Sequence, residues 1–234
     1  MTKPTTITDV QHLIEIRAIS KEYLCGDSIV PAIREMAFHV DDGEFITIMG
    51  QSGSGKSTLL SILGGLNHPS SGQIVVDGLD LYNLSSEQRA DFRSEYIGII
   101  FQSFQLIPYL TVIENVKLPM AITGIKARKQ DAMALSVLER VGLVNKKDRL
   151  PDQLSGGEQE RVAIARAIVN QPPILLADEP TGNLDSQTAD EIMGLLTDLN
   201  RDQGLTIIMV THNPDNCGLS QRTIRVQDGL CTVH

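Results

Sequence analysis

Gly50-Gln51-Ser52-Gly53-Ser54-Gly55-Lys56-Ser57-Thr58 is the stretch that decides how this chain is read. It fits G-x-x-x-x-G-K-[ST], and its flanks fit as well. The apolar run Phe45–Met49 before it is long enough for a buried strand, and Leu59–Leu63 after it continues as a helix. Strand, glycine-rich turn and helix start make a phosphate cradle. Glycines let successive N–H groups converge on one concavity, and the helix N-terminus adds partial positive charge. Lys56 supplies an ammonium for the β and γ phosphates, and the Ser57 hydroxyl is a ligand for Mg²⁺. The stretch reads as a nucleoside triphosphate site.

Moving outward, 234 residues suffice for one large domain or a core with a subdomain. A net charge of −9 opposes a general nucleic-acid or anionic-membrane surface. The three cysteines, Cys25, Cys217 and Cys231, have no metal or redox spacing, which points to a reduced cytoplasmic setting. Met1–Asp9 lacks an apolar core of signal-peptide type, and no run of roughly 18 apolar residues is present to span a membrane.

Leu13–Ile19 alternates as a half-buried strand, with Tyr23 close to its end, and Phe38–Val40 reads as a second strand. Asp41-Asp42-Gly43 looks like a hairpin turn into Phe45–Met49, so the N-terminal part is expected to be antiparallel β. Gln73–Val76 is a strand before a second hairpin at Asp77-Gly78. Ser85 caps a helix running towards Glu95. Ile97–Phe101 is a buried strand with Gln102 at its C-terminal end. From Ser103 the texture becomes helical. Leu106–Leu110 is a loop with exposed-looking apolars. Thr111–Ile122 and Lys129–Val141 are helices, the second with Met133, Leu135, Val137, Leu138 and Val141 on its apolar face. The α/β pattern returns with strand Ile174–Ala177, helix Ser186–Arg201, strand Leu205–Val210, and an edge hairpin about Asp228-Gly229. The fold class is therefore α/β, with a mostly parallel phosphate-loop core, an N-terminal antiparallel β subdomain and an inserted α-helical subdomain. The core is expected at 1–102 and 171–234, and the insertion at 103–170.

Asp178 and Glu179 close the apolar strand Ile174–Ala177. Adjacent strand residues point opposite ways, so the two have different tasks. Asp178 is placed to hold Mg²⁺, and Glu179 to polarise the attacking water. In Leu154-Ser155-Gly156-Gly157-Glu158-Gln159, Ser155 and Glu158 form a capping box. Two glycines at a helix start cost propensity, and they make sense where a phosphate approaches bare backbone. The chain then has two helix starts built for anions and one lysine-bearing loop. Either it binds two nucleotides, or each site borrows its second half from another copy.

These residues carry a resemblance. The phosphate loop, Gln102, Leu154–Glu158, Asp178-Glu179, Asn183-Leu184-Asp185 and His212 follow the order and spacing of ATP-binding cassette ATPases, over about Leu13 to Gly229. Leu63–Leu66, Thr181–Asp185 and Tyr23–Asp27 are most similar to the ATPases of lipoprotein release and macrolide export. The resemblance implies a homodimer with composite sites, in which Ser155, Gly156, Gly157 and Glu158 of one subunit complete the γ-phosphate site of the other. It implies that Tyr23 stacks on adenine, and that Gln102 senses Mg²⁺ and γ-phosphate and couples to a membrane subunit. Asp185 would cross the dimer interface, and His212 would hold the γ-phosphate and water. Glu158 stands where glutamine is common, and Asn213 where aspartate is common.

The expected function is the ATP-hydrolysing subunit of a transport or extrusion complex, peripheral on the cytoplasmic face of the inner membrane. Any membrane domain is expected on another polypeptide, a permease docking near Leu106–Leu110. The alternative is a cell-division-type ATPase that activates a periplasmic partner without transport. A DNA-repair or translation cassette is opposed by the acidic charge and the lack of a long insertion.

Overall fold

The computed structural model describes residues 12–26 and 28–233. The signal-segment reading of Met1–Asp9 and the contribution of Asp27 to the resemblance lie outside the described residues.

The chain runs β1 (Ile14–Cys25), β2 (Ser28–Val40), β3 (Phe45–Met49), α1 (Lys56–Leu63), β4 (Ser71–Val76), β5 (Leu79–Asp80), α2 (Ser86–Tyr96) and β6 (Ile97–Ile100). It continues through α3 (Val112–Lys117), α4 (Ala127–Arg140), α5 (Gly156–Ile168), β7 (Ile174–Asp178), α6 (Ser186–Gln203), β8 (Thr206–Thr211), β9 (Arg222–Gln227) and β10 (Leu230–Val233). Two sheets form: an antiparallel one in the order β2-β1-β4-β5, and a larger one in the order β10-β9-β3-β8-β7-β6. In the larger sheet only β10 runs antiparallel to its neighbour.

The continuous apolar runs of β3, β7 and β8 are what a parallel strand covered on both faces requires. Alternation divides them cleanly. Phe45, Leu175, Ala177, Ile207 and Met209 join a core shared with α3, α4, α5 and α6. Ile46, Ile48, Ile174, Leu176, Ile208 and Val210 join the opposite core, with α1 and the antiparallel sheet. Each fully buried side chain of this size contributes roughly 1.5–3 kcal/mol.

Four local expectations are corrected. The strand at Phe38–Val40 is far longer, beginning at Ser28, and its partner is β1 rather than β3. Asp42-Gly43 therefore marks a change of sheet, while the hairpin is formed across Gly26, where Cys25 pairs with Ser28. The helix expected over Thr111–Ile122 is α only to Lys117 and tightens to 3₁₀ over Leu118–Ile122. Pro119 has no N–H for the α ladder. On α4, Leu135 is exposed and Ala134 is buried in its place. The Leu106–Leu110 loop is less open than its composition suggests. Buried Asn115 bonds the backbone of Ile107 and Leu110, Leu106 packs on the core, and Tyr109 alone of its large apolar side chains stands clear at 78% exposure.

Candidate active site

Parallel strands deliver their C-terminal ends to one edge, where ligands of α/β sheets bind. Gly50 follows β3, Gln102 lies just beyond β6, Glu179 follows β7 and His212 follows β8. They line one cleft of 770 Å³ with Gln51, Ser52, Gly53 and Ser54.

The three glycines of the loop have different reasons. A Cβ on Gly50 would sit 2.2 Å from the Val226 carbonyl oxygen, and one on Gly55 would sit 2.3 Å from that of Ala32. Those two are demanded by the protein's own backbone. Gly53, at φ 79°, meets nothing within 4 Å and leaves an open face. Gly55 caps α1 at φ 103° with no side-chain cap, so the first N–H groups of the helix have no side-chain acceptor. The Lys56 ammonium turns back onto the carbonyls of Gly50 and Gln51, at 2.7 and 2.9 Å. Thr58 is half-buried behind the loop, and the buried Ser54 hydroxyl has no partner.

Alternation also explains the metal-type pair. Ile174, Leu176 and Asp178 share the face towards α1, where the Ser57 hydroxyl donates to Asp178 Oδ1 at 3.2 Å. Burial pushes the Asp178 carboxyl up, and the charge of Glu179 adds to this. The Ser57 bond and Lys56 oppose it. A hard oxygen pair of this kind fits Mg²⁺. Glu179 takes φ 49° as it leaves β7, its N–H is fixed by the Val210 carbonyl, and its Oε2 lies 2.5 Å from His212 Nδ1. Glu179 is largely shielded, while His212 is exposed.

Other expected residues stand apart from this cleft. Ser155, Gly156, Gly157, Glu158, Asp185 and Tyr23 do not line it. Ser155 and Glu158 cap α5 reciprocally, and Glu158 also pairs with Lys146, which holds its carboxyl below the ordinary range. Gly157 has a packing reason: its Cβ would fall 2.2 Å from Thr188 Cγ2 on α6. Asp185 caps α6 through the N–H and hydroxyl of Thr188, at 3.0 and 2.7 Å. Tyr23, 38% exposed, meets Asn67 through its hydroxyl at 2.7 Å and the Lys21 ammonium at 5.1 Å from its ring. Asn183 donates to the Gln102 carbonyl at 2.8 Å, tying the loop before α6 to the cleft.

Two groups escaped the sequence reading. Arg225, Val226, Gln227 and Asp228 form one wall of the cleft. Their signal was the parallel pairing of Met49 with Arg225, which no local pattern reveals. In α5, Glu160 is 1% exposed with Oε1 unpartnered, and burial pushes it up to about 8 against the pull of Arg166. Arg166 itself donates to the carbonyls of Phe104 and Gln105, both at positive φ just after Gln102.

A parallel sheet that gathers a glycine-rich loop, a buried lysine, a serine–aspartate pair and a glutamate–histidine pair at one edge defines a phosphate-loop nucleotide hydrolase. Residues 33–182 match the family described as ABC transporter. The chain is 45% identical over 220 residues to the macrolide export ATP-binding/permease protein MacB of Syntrophobacter fumaroxidans, covering 93% of this chain and 31% of that protein. It is 42% identical over 217 residues to the lipoprotein-releasing system ATP-binding protein LolD of Syntrophus aciditrophicus, covering 93% and 97%. Among solved structures, the ATP-binding cassette MJ0796 in a dimeric post-hydrolysis state with ADP and Pi superposes with TM-score 0.86 at 40% identity, covering 93% and 95%. The chain thus spans about a third of the MacB relatives' length and nearly all of the LolD relative's. It belongs to the ABC transporter family and is an ATPase.

Proposed function

We propose that two copies of this chain close around ATP and power a separate transmembrane permease of the export or lipoprotein-release type, on the cytoplasmic face of the inner membrane. Lys56 and the loop N–H groups would hold the β and γ phosphates, and Tyr23 would stack on adenine. Ser57, Asp178 and Gln102 would hold Mg²⁺, which supplies charge neutralisation on the phosphate oxygens. Glu179 would take the proton of the attacking water, with His212 fixing the carboxylate and the γ-phosphate. Residues 103–170 would act as a helical subdomain between Gln102 and the permease. No helix among the described residues is long and apolar enough to cross a membrane.

One observation carries the shared-site reading. The cleft is lined by Gly50–Ser54 of the phosphate loop, Gln102, Glu179 and His212 of one chain, but by none of its Ser155–Glu158 stretch. That stretch is left to complete a partner's site, as the dimeric state of the solved relative suggests. Mixing Ser155→Arg and Lys56→Ala subunits tests it. In a heterodimer with shared sites, one site receives both lesions and the other receives none. Hydrolysis that neither variant shows alone should return in the mixture. A γ-phosphate photoprobe should also label the Ser155–Glu158 stretch of the opposite, differently tagged chain. Labelling confined to one chain would overturn the proposal.

A further inference from the structure

We propose that His12, His39 and Asp41 form a site for one divalent transition-metal cation, zinc by donor type, at the end of the sheet remote from the nucleotide cleft. Strand register builds it. β1 pairs antiparallel with β2 so that Ile14 faces Val40 and Glu15 faces His39. His12, just before β1, therefore lies beside the residues that close β2. The two imidazoles stack with centroids 3.7 Å apart and planes 22° apart. His12 Nδ1 lies 2.5 Å from Asp41 Oδ1. One ligand atom from each of the three residues lies within 4.8 Å of the others, the only such group of three or more histidine, cysteine or acidic residues among the described residues.

The chemistry favours a metal over a plain ion pair. A neutral imidazole offers one ring-nitrogen lone pair to a metal, and a carboxylate oxygen is a further donor. Two neutral imidazoles and a carboxylate are a zinc donor set, with the fourth position left to water. Bonds of about 2.0–2.1 Å need the three ligand atoms drawn closer together, which rotation of half-exposed side chains supplies. The nearest cation does not oppose this. Arg222 is neutralised by Glu44 at 2.8 and 2.9 Å, and its remaining bond to the His39 carbonyl at 2.6 Å anchors the backbone under the site.

Asp41 precedes β3 and the phosphate loop follows it, a separation of about 17 Å along five residues of strand. Such a metal would staple the start of β1 to the end of β2 without touching the phosphates. Its expected effect is on stability and not on turnover.

The full chain, stripped of metal with a chelator and free of nucleotide and Mg²⁺, is titrated with Zn²⁺ against a chromophoric chelator, and with Co²⁺ by visible absorption. We expect one equivalent of Zn²⁺, d–d bands with Co²⁺, and a rise in Tm with zinc. His39→Gln and Asp41→Asn should each weaken binding by about tenfold or more, since even outer-shell partners are worth 10–100-fold. Mg²⁺-dependent ATPase of both variants should match the parent. If His39→Gln fails to fold, His12→Gln gives the same test from outside the strands. Absence of stoichiometric uptake overturns the proposal. So does uptake that survives His39→Gln and Asp41→Asn but is lost in His212→Gln, which would place the metal in the nucleotide cleft.

Discussion

α1 and α5 both begin on glycine-rich turns, yet the two beginnings are finished in opposite ways. α1 starts from Gly55 with no side-chain cap and no acid in its first turn. At α5, the Ser155 hydroxyl accepts from the Glu158 N–H, while the Glu158 carboxylate accepts from the Ser155 N–H. The first start leaves N–H groups free of side-chain partners and needs an anion. The second has its Ser155 and Glu158 N–H groups capped, and those of Gly156 and Gly157 remain. Their buried ionisable groups differ too. Lys56 is satisfied by two carbonyls, whereas Glu160 has an oxygen with no partner. Similar composition at two helix starts thus conceals an uncapped end and a partly capped one. In the shared-site reading, the second meets its phosphate only when a partner brings one.

The largest break in this comparison comes from Lys56→Ala. Its ammonium is the one cation of the phosphate loop, and loss of one such electrostatic donor lowers turnover by about 10²–10³. Phosphate release by the purified variant measures this. Turnover near the parent's would mean that the open start of α1 is not the phosphate end.

Much of that end was legible in the sequence because its chemistry is local. The phosphate loop, the Asp178-Glu179 pair and the capping boxes are contiguous patterns, and β7 and β8 announce themselves as unbroken apolar runs. Partners far along the chain were not legible. β2 carries Pro31 and a broken alternation, which an edge strand tolerates and a local reading discounts. Asp42-Gly43 signals a reversal but not which sheet receives the next strand. The demand for Gly50 and Gly55 comes from the carbonyls of Val226 and Ala32, which sequence alone does not place nearby. Arg225 enters the cleft wall for the same reason.

Glu160 sharpens the comparison through pH. Its folded pKa is raised from 4.5 to about 8, chiefly by burial. Between those values the folded chain binds a proton that the unfolded chain has released, so stability falls as pH rises through this window. Glu160→Gln removes the titrating group. Relative to the variant, the parent should lose on the order of a few kcal/mol between pH 5 and pH 8, read from urea unfolding at each pH. A parallel dependence in both proteins would mean that Glu160 ionises as freely folded as unfolded, and the contrast with Lys56 would go.

The smallest effect separates two explanations of the glycines at α5. If both exist only so that phosphate can approach bare backbone, alanine at either position should leave the nucleotide-free chain as stable as before or slightly more so, since alanine is favoured in a helix by roughly 0.5–1 kcal/mol. Gly156→Ala should behave this way, its Cβ meeting Leu184 at an ordinary 3.5 Å. Gly157→Ala should not. Its Cβ would enter the 2.2 Å contact with Thr188 Cγ2, and forcing such a group into a packed interface costs about 1–3 kcal/mol. Thr188→Ser removes that methyl but keeps the hydroxyl that bonds Asp185, so the cap of α6 survives. Combined with Gly157→Ala, it should return most of the lost stability, a coupling expected of residues in direct contact. Simple additivity of the two substitutions would show that the methyl is not what excludes a side chain at Gly157. A double variant that regains stability but not ATP hydrolysis would show that α5 needs this glycine twice, once for packing against its own α6 and once for a partner's phosphate.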